Sequence, residues 1–240
     1  MRQRPSRPAR NSRSGLSGLL WRAVGATALV ILVTLAVAIV ALGVLRFVNP
    51  PTTMVRVQRR IEAILRHQPY HVTHQTVPLN RISPDLQHAV IAAEDGRFYE
   101  HRGIDWKQVQ IVVDDAREAG EFEPSRGAST ITQQLIKNLF FTTHRNPLRK
   151  AAEWALAPLA DTILGKRRTL ELYLNNVEWG EGVFGAEAAA RSWYGISAAQ
   201  LNREQSASLA AILPSPRRRK PTRMKAYSNQ ILTRMRQMNW

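Results

Sequence analysis

Residues 23–45 run without a charged residue or a proline, the sharpest break in the pattern of apolar and polar positions along this chain. At about 1.5 Å per residue, a helix of this run covers a hydrocarbon core roughly 30 Å thick. A buried helix of a globular domain would show a polar face, and none is present. A cleaved signal peptide would have an apolar core of about 7–15 residues and then a small-residue cleavage site. Val44-Leu45-Arg46-Phe47-Val48 offers no such site. The run predicts one uncleaved membrane-spanning helix. Beyond it, apolar positions recur at the helical period. Helices are predicted over 55–65, from the Ser83-Pro84 start through Leu86, Val90 and Ile91 to Glu94, and over 106–119, 129–140, 148–164, 169–174, 186–193 and 224–238. Ser197 and Asn202 read as caps, the latter with Gln205 in capping-box position before a helix reaching Leu213. No stretch sustains the alternation of a sheet; residues 109–113 are strand-like in isolation, in helical surroundings. The pattern predicts a mainly α, single-domain protein behind one transmembrane helix: tail 1–22, span 23–45, linker 46–77 and domain 78–240.

Charge orients this arrangement. The net charge is +16, and Arg2, Arg4, Arg7, Arg10, Arg13 and Arg22 precede the span with no acidic residue among them. Arg46 and Arg56 beyond it are outnumbered, so the tail is expected in the cytoplasm, disordered, and the domain outside, on an inner (cytoplasmic) membrane. A second basic block, Arg217-Arg218-Arg219-Lys220 with Arg223 and Lys225, suits anionic lipid headgroups or a solvated loop equally well. Nucleic acid is excluded as a partner by the anchor. With zero cysteines, thiol catalysis and cysteine metal sites are excluded too. His67, His71 and His74 have a ligand-like spacing, but Pro69 interrupts any helix there and no carboxylate lies close by, so the segment reads as plain linker.

Polar groups concentrate in a few runs. Gly127-Ala128-Ser129-Thr130-Ile131-Thr132-Gln133-Gln134-Leu135-Ile136-Lys137-Asn138 begins with helix-capping hydroxyls and aligns Thr130, Gln134 and Lys137 on one face. A hydroxyl, an amide and a cation suit a phosphate or a sugar. Glu94 ends an apolar helix, where lost solvation raises a carboxyl pKa and suits a general base; Asp95 and His101 could orient neighbours. Arg149 and Glu153 stand one helical turn apart, with Lys150 also in reach of Glu153. This is either an ion-pair cluster or a phosphate site. Trp179 and Phe184 punctuate a glycine-rich loop, as anchors or as platforms for sugar rings.

In this order the motifs resemble those of the peptidoglycan glycosyltransferases, the lysozyme-like transglycosylase family that also forms the first half of bifunctional penicillin-binding proteins. E-D-x-x-F-x-x-H-x-G matches 94–103, G-x-S-T-x-T-Q-Q-x-x-K-N matches 127–138, R-K-x-x-E matches 149–153, and L-E-x-Y-L-N matches 170–175. Residues 178–190 look like the monofunctional branch, and the resemblance covers roughly 78–214. Ala128, Thr169 and Trp193 depart from the usual pattern.

The resemblance implies a lysozyme-like helical domain that polymerises lipid II by inverting β-1,4 transfer. The donor would be a glycan on undecaprenyl pyrophosphate and the acceptor the lipid II GlcNAc 4-hydroxyl. It implies Glu94 and Glu153 as catalytic residues, with Glu94 the base. Asp95, Phe98, His101, Ser129, Thr130, Gln134, Lys137, Asn138, Arg149 and Lys150 would bind substrate. It implies no organic cofactor. A divalent cation, Mg or Mn, could be held, with Glu153 the one candidate ligand. Other cell-wall synthesis proteins are candidate partners. A lytic muramidase would share the fold class and a catalytic Glu but needs neither phosphate-binding cations nor a membrane tether. The chain has no Ser-x-x-Lys and no Lys-Thr-Gly, so no transpeptidase activity is expected.

Overall fold

The structure, a computed structural model, describes residues 13–120, 127–144 and 146–240. The chain divides into two units, Met1–Ala41 and Leu42–Trp240. In the first, helix α1 (Arg13–Leu45) carries a stretch, Trp21–Leu45, long and apolar enough to cross a membrane. Its Leu, Val and Ile side chains are largely exposed. The Thr27 and Thr34 hydroxyls donate back to the carbonyls of Ala23 and Val30 at 3.0 and 2.8 Å, so neither is left unmatched in an apolar surrounding. The helix starts at Arg13, inside the stretch expected to be a disordered tail; residues 1–12 of that tail lie outside the described residues.

The second unit is mainly α, as expected. It comprises α2 (Met54–Leu65), α3 (Pro84–Glu94), α4 (Trp106–Glu118), α5 (Ile131–Phe140), α6 (Pro147–Asn176), α7 (Ala186–Tyr194), α8 (Arg203–Ala210) and α9 (Lys225–Gln237). α5 packs along α6, and α3 packs against α8 and α9. Leu86, Val90, Ile91, Leu135, Ile136, Leu172 and Leu209 are buried between them. Local chemistry sets the starts. Thr130 and Gln133 form a capping box on α5, Asn202 and Gln205 another on α8, and Ser197 with Gln200 caps a short 3₁₀ turn. Ser83 occupies the N-cap of α3 but donates its hydroxyl to the Leu201 carbonyl at 2.8 Å, spending the cap on a tertiary tie. α6 joins both helices expected over 148–174 and kinks between them at Gly165, where φ is 72° and ψ is 164°.

Two features of this unit carry no signal in the sequence. A small sheet exists: β1 (Thr73–His74) runs parallel to β3 (Val183–Phe184), which is antiparallel to β2 (Glu178–Gly180). Strands this short show no alternation in sequence. Residues 46–77 hold the helix expected over 55–65 and also pack into this unit. α2 packs on α5, β1 joins the sheet, and Val55 and Arg56 are buried. His74 Nε2 donates to the Asn175 carbonyl at 3.0 Å and Nδ1 accepts from Arg56 at 3.0 Å. A carbonyl only accepts and a guanidinium only donates, which selects the neutral Nε2–H tautomer; burial and then the Arg56 charge lower its pKa accordingly. The last turn of α1 from Leu42 onward belongs to this unit, and Arg168 donates to the Leu45 and Val48 carbonyls at 2.9 and 3.0 Å. The Leu45 carbonyl is one that a helix end leaves without an intrahelical partner.

Gly103 sits at a close backbone junction. Its φ is +84°, and a Cβ there would sit 2.4 Å from the Ala157 carbonyl oxygen and 2.8 Å from the Pro158 nitrogen. Its own carbonyl accepts from the Thr130 hydroxyl at 2.6 Å, so one glycine joins the 94–103 loop, the start of α5 and the middle of α6. Gly165 has a positive φ but nothing within 4 Å of a built Cβ. Gly165→Ala is therefore expected to cost about 1–3 kcal/mol as backbone strain alone. Gly103→Ala adds a backbone collision worth about 1–3 kcal/mol more. Thermal unfolding of the two variants in detergent checks this; equal losses of Tm would remove the collision.

Candidate active site

A cleft of about 960 Å³ opens beside the C-terminal end of α3, lined by Glu94, Ser129, Gln134, Pro214, Tyr227 and Arg234 among others. A second cavity of about 570 Å³ meets it at Gln134 and Pro214 and is walled by Arg59, Lys137, Asn138, Glu178, Arg217 and Arg218. Gln134 thus stands between the cleft that holds Glu94 and a basic cavity.

Glu94 is the last residue of α3, after the buried run Ala89, Val90, Ile91 and Ala92. Burial pushes its carboxyl pKa up; the Gln134 bond and the charges of Lys137 and Arg219 pull it partly back, while Asp95 raises it. The Gln134 amide donates to Glu94 Oε2 at 2.7 Å, and the Tyr173 hydroxyl donates to Gln134 Oε1 at 2.9 Å. Lys137, further along α5, has its pKa lowered by burial, against which Glu153 and Glu94 act. Glu153 is 3% exposed. Its Oε1 pairs with Arg149 Nη1 and its Oε2 lies 3.4 Å from Lys150 Nζ, which also donates to Ser129 Oγ at 2.7 Å. The ion-pair cluster and the cationic site left open by the spacing are thus one object. A divalent cation does not fit at Glu153: each oxygen already faces a cation, and the described residues hold no cluster of His, Asp or Glu able to complete a metal shell.

Ser129, Gln134, Lys137, Arg149, Lys150 and Glu153 lie close together, with Glu94 across Gln134 and Asn138 on the wall of the basic cavity. Other expected substrate contacts have internal partners in the fold. The Thr130 hydroxyl caps α5 and donates to Gly103, and the residue is 2% exposed, so the predicted three-residue face reduces to Gln134 and Lys137. Asp95 borders the cleft, but its carboxylate accepts from the Ile131 N–H at 2.9 Å and from His101 Nε2 at 2.9 and 3.1 Å. Phe98 is 1% exposed, with Lys166 Nζ 4.7 Å from its ring centre. These side chains hold the loop. Trp179 and Phe184 are fully buried and serve as anchors.

The sequence reading missed Arg59, Tyr173 and Arg219 in the site. Arg59 lies on α2, in the supposed linker, and donates Nε and Nη2 to Glu178 Oε2 at 3.0 and 2.9 Å; no local signal marks it. Tyr173 stood inside the matched 170–175 motif and Arg219 inside the basic block, so motif membership and charge were the available signals.

The family model described as Transglycosylase matches residues 60–239. A protein of Brucella suis biovar 1 named biosynthetic peptidoglycan transglycosylase is 46% identical over 180 residues, covering 75% of each chain. Proteins of the same name from Vibrio parahaemolyticus, 46% identical over 180 residues (75% of this chain and 78% of the relative), and Shewanella amazonensis, 43% over 206 residues (84% and 82%), are similar too. The matched region carries α3, α5 and α6 with Glu94, Gln134, Lys137, Arg149, Lys150 and Glu153, and the chain accordingly belongs to the transglycosylase family of glycosyltransferases.

Proposed function

We propose that this protein polymerises lipid II, transferring a growing glycan from undecaprenyl pyrophosphate to the GlcNAc 4-hydroxyl of an incoming lipid II. The observation that carries the reading is a carboxyl of raised pKa, Glu94, facing a cleft that continues past Gln134 into a basic cavity. The acceptor oxygen attacks the donor MurNAc anomeric carbon from the face opposite pyrophosphate. Its proton passes to a Glu94 oxygen as the new C–O bond forms. The old C–O bond breaks, its electron pair leaves on pyrophosphate, and configuration inverts from α to β. Pyrophosphate departs without a proton because Lys137 and Arg149 meet its growing charge. Glu153 holds Arg149 and Lys150 in place; it attacks nothing, as an inverting reaction requires.

Glu94→Gln keeps shape but cannot take the proton, so polymerisation should fall by about 10²–10⁴, with donor binding retained. A labelled lipid II gel assay reads this, and activity within about tenfold of wild type removes Glu94 as base. The base must be ionised, so kcat/KM should fall as pH drops through its raised pKa.

Lys137→Ala and Arg149→Ala should slow the reaction and weaken binding of phosphoglycolipids that mimic the donor, since each deletes a charge-assisted contact. Unchanged affinity in both variants would sink the pyrophosphate assignment.

The N-terminus is proposed to be cytoplasmic and the domain extracytoplasmic, because basic residues before the span outnumber those just after it. A reporter that works only outside the cytoplasm should be active after Trp240 and silent before Arg2. The reverse pattern inverts the topology, and an intact mass well short of 27.1 kDa replaces the anchor with a cleaved signal.

A further inference from the structure

Tyr173 is fully buried on α6, and the one hydrogen bond found for its hydroxyl goes to Gln134 Oε1 at 2.9 Å. The other end of that amide donates to Glu94 Oε2 at 2.7 Å. A primary amide can turn over, exchanging its oxygen and nitrogen. Turned, it would present its carbonyl to Glu94, and two oxygens tolerate that distance only when the carboxyl carries a proton. Its nitrogen would then face the Tyr173 oxygen, and the phenolic hydrogen would lose its acceptor inside the core. A buried donor without a partner is the expensive outcome in hydrogen bonding.

We infer that Tyr173 is a positioning residue for Glu94, acting through Gln134: its hydroxyl holds the amide with N–H, not C=O, toward the carboxylate. Donation into Oε1 also polarises the amide and strengthens its N–H as a donor to the carboxylate. Both effects favour the ionised base. The other charged groups around Glu94 are Lys137 from α5, Arg219 from the segment after α8, and its neighbour Asp95; Arg234 from α9 lines the same cleft. None of these contacts passes through Tyr173, so removing its hydroxyl isolates the amide's contribution. The inference rests on Glu94 being the base.

The test is the pH dependence of kcat/KM for lipid II polymerisation. Tyr173→Phe should move the acid-limb midpoint up by about one pH unit, a loss of about tenfold below both midpoints that is recovered on the plateau. Gln134→Met should also move the midpoint up, and the double variant should move it no further than Gln134→Met alone. Placing 3-fluorotyrosine at position 173 keeps the ring volume and makes a stronger donor, so the midpoint should move down. It also serves if the phenylalanine variant does not fold. A midpoint that stays put in either Tyr173 variant, a uniform loss at every pH, or additive shifts in the double variant overturns the relay. An active Glu94→Gln enzyme is the separate result that removes the base reading beneath it.

Discussion

The Ile131 N–H donating to Asp95 across 2.9 Å is the contact on which the site's geometry depends. The first N–H groups of a helix have no partner within it and carry partial positive charge, so a carboxylate there is held by hydrogen bonding and by the helix dipole together. Asp95 directly follows Glu94, which ends α3, so docking Asp95 on the first turn of α5 leaves Glu94 beside the next turn, where Gln134 waits. Thr130 closes the same junction by donating to Gly103 at 2.6 Å, and His101 holds the other side of Asp95. Side chains within one short motif therefore divide the labour: Glu94 faces the cleft, and Asp95, Phe98, His101 and Gly103 make the loop that aims it.

The second constraint is the cost of burying charge. Glu153 is nearly inaccessible, and an unmatched carboxylate there would be severely destabilising; Arg149 and Lys150 match it. The same arrangement leaves the cluster with more cations than carboxylates once Lys137 is included, and that excess is what an incoming anion would meet. Arg59, Arg217 and Arg218 extend the positive wall, partly tied by Glu178, Glu62 and Glu181. The charge that looked in sequence like a generic basic block is thus divided: Arg217 and Arg218 line the basic cavity, while Arg219 acts on Glu94.

The helices were legible because their period, caps and breakers are local. The Ser83-Pro84 start, the Asn202-Gln205 box and the break near Gly165 all fall where their chemistry places them. The small sheet and the role of α2 were illegible, since β1 meets β3 across more than a hundred residues and each strand is too short to carry a pattern. Arg59 illustrates the same point within the site: nothing near it in sequence announces Glu178.

Sequence alone determined the uncharged run that can span a membrane, the helical class, and the presence of a carboxylate at an apolar helix end with amides and cations on a later helix. These follow from neighbours within a few turns, where spacing dictates which side chains share a face. Only the tertiary structure decided which of those groups remain free for chemistry. Thr130, Asp95 and Phe98 have suitable side chains at suitable spacings, but burial between elements distant in sequence committed them to the fold. Gln134, with a tyrosine on one side and a glutamate on the other, acquired its partners only when α3, α5 and α6 packed together. A side chain's hydrogen-bonding capacity is finite, and packing determines where it is spent.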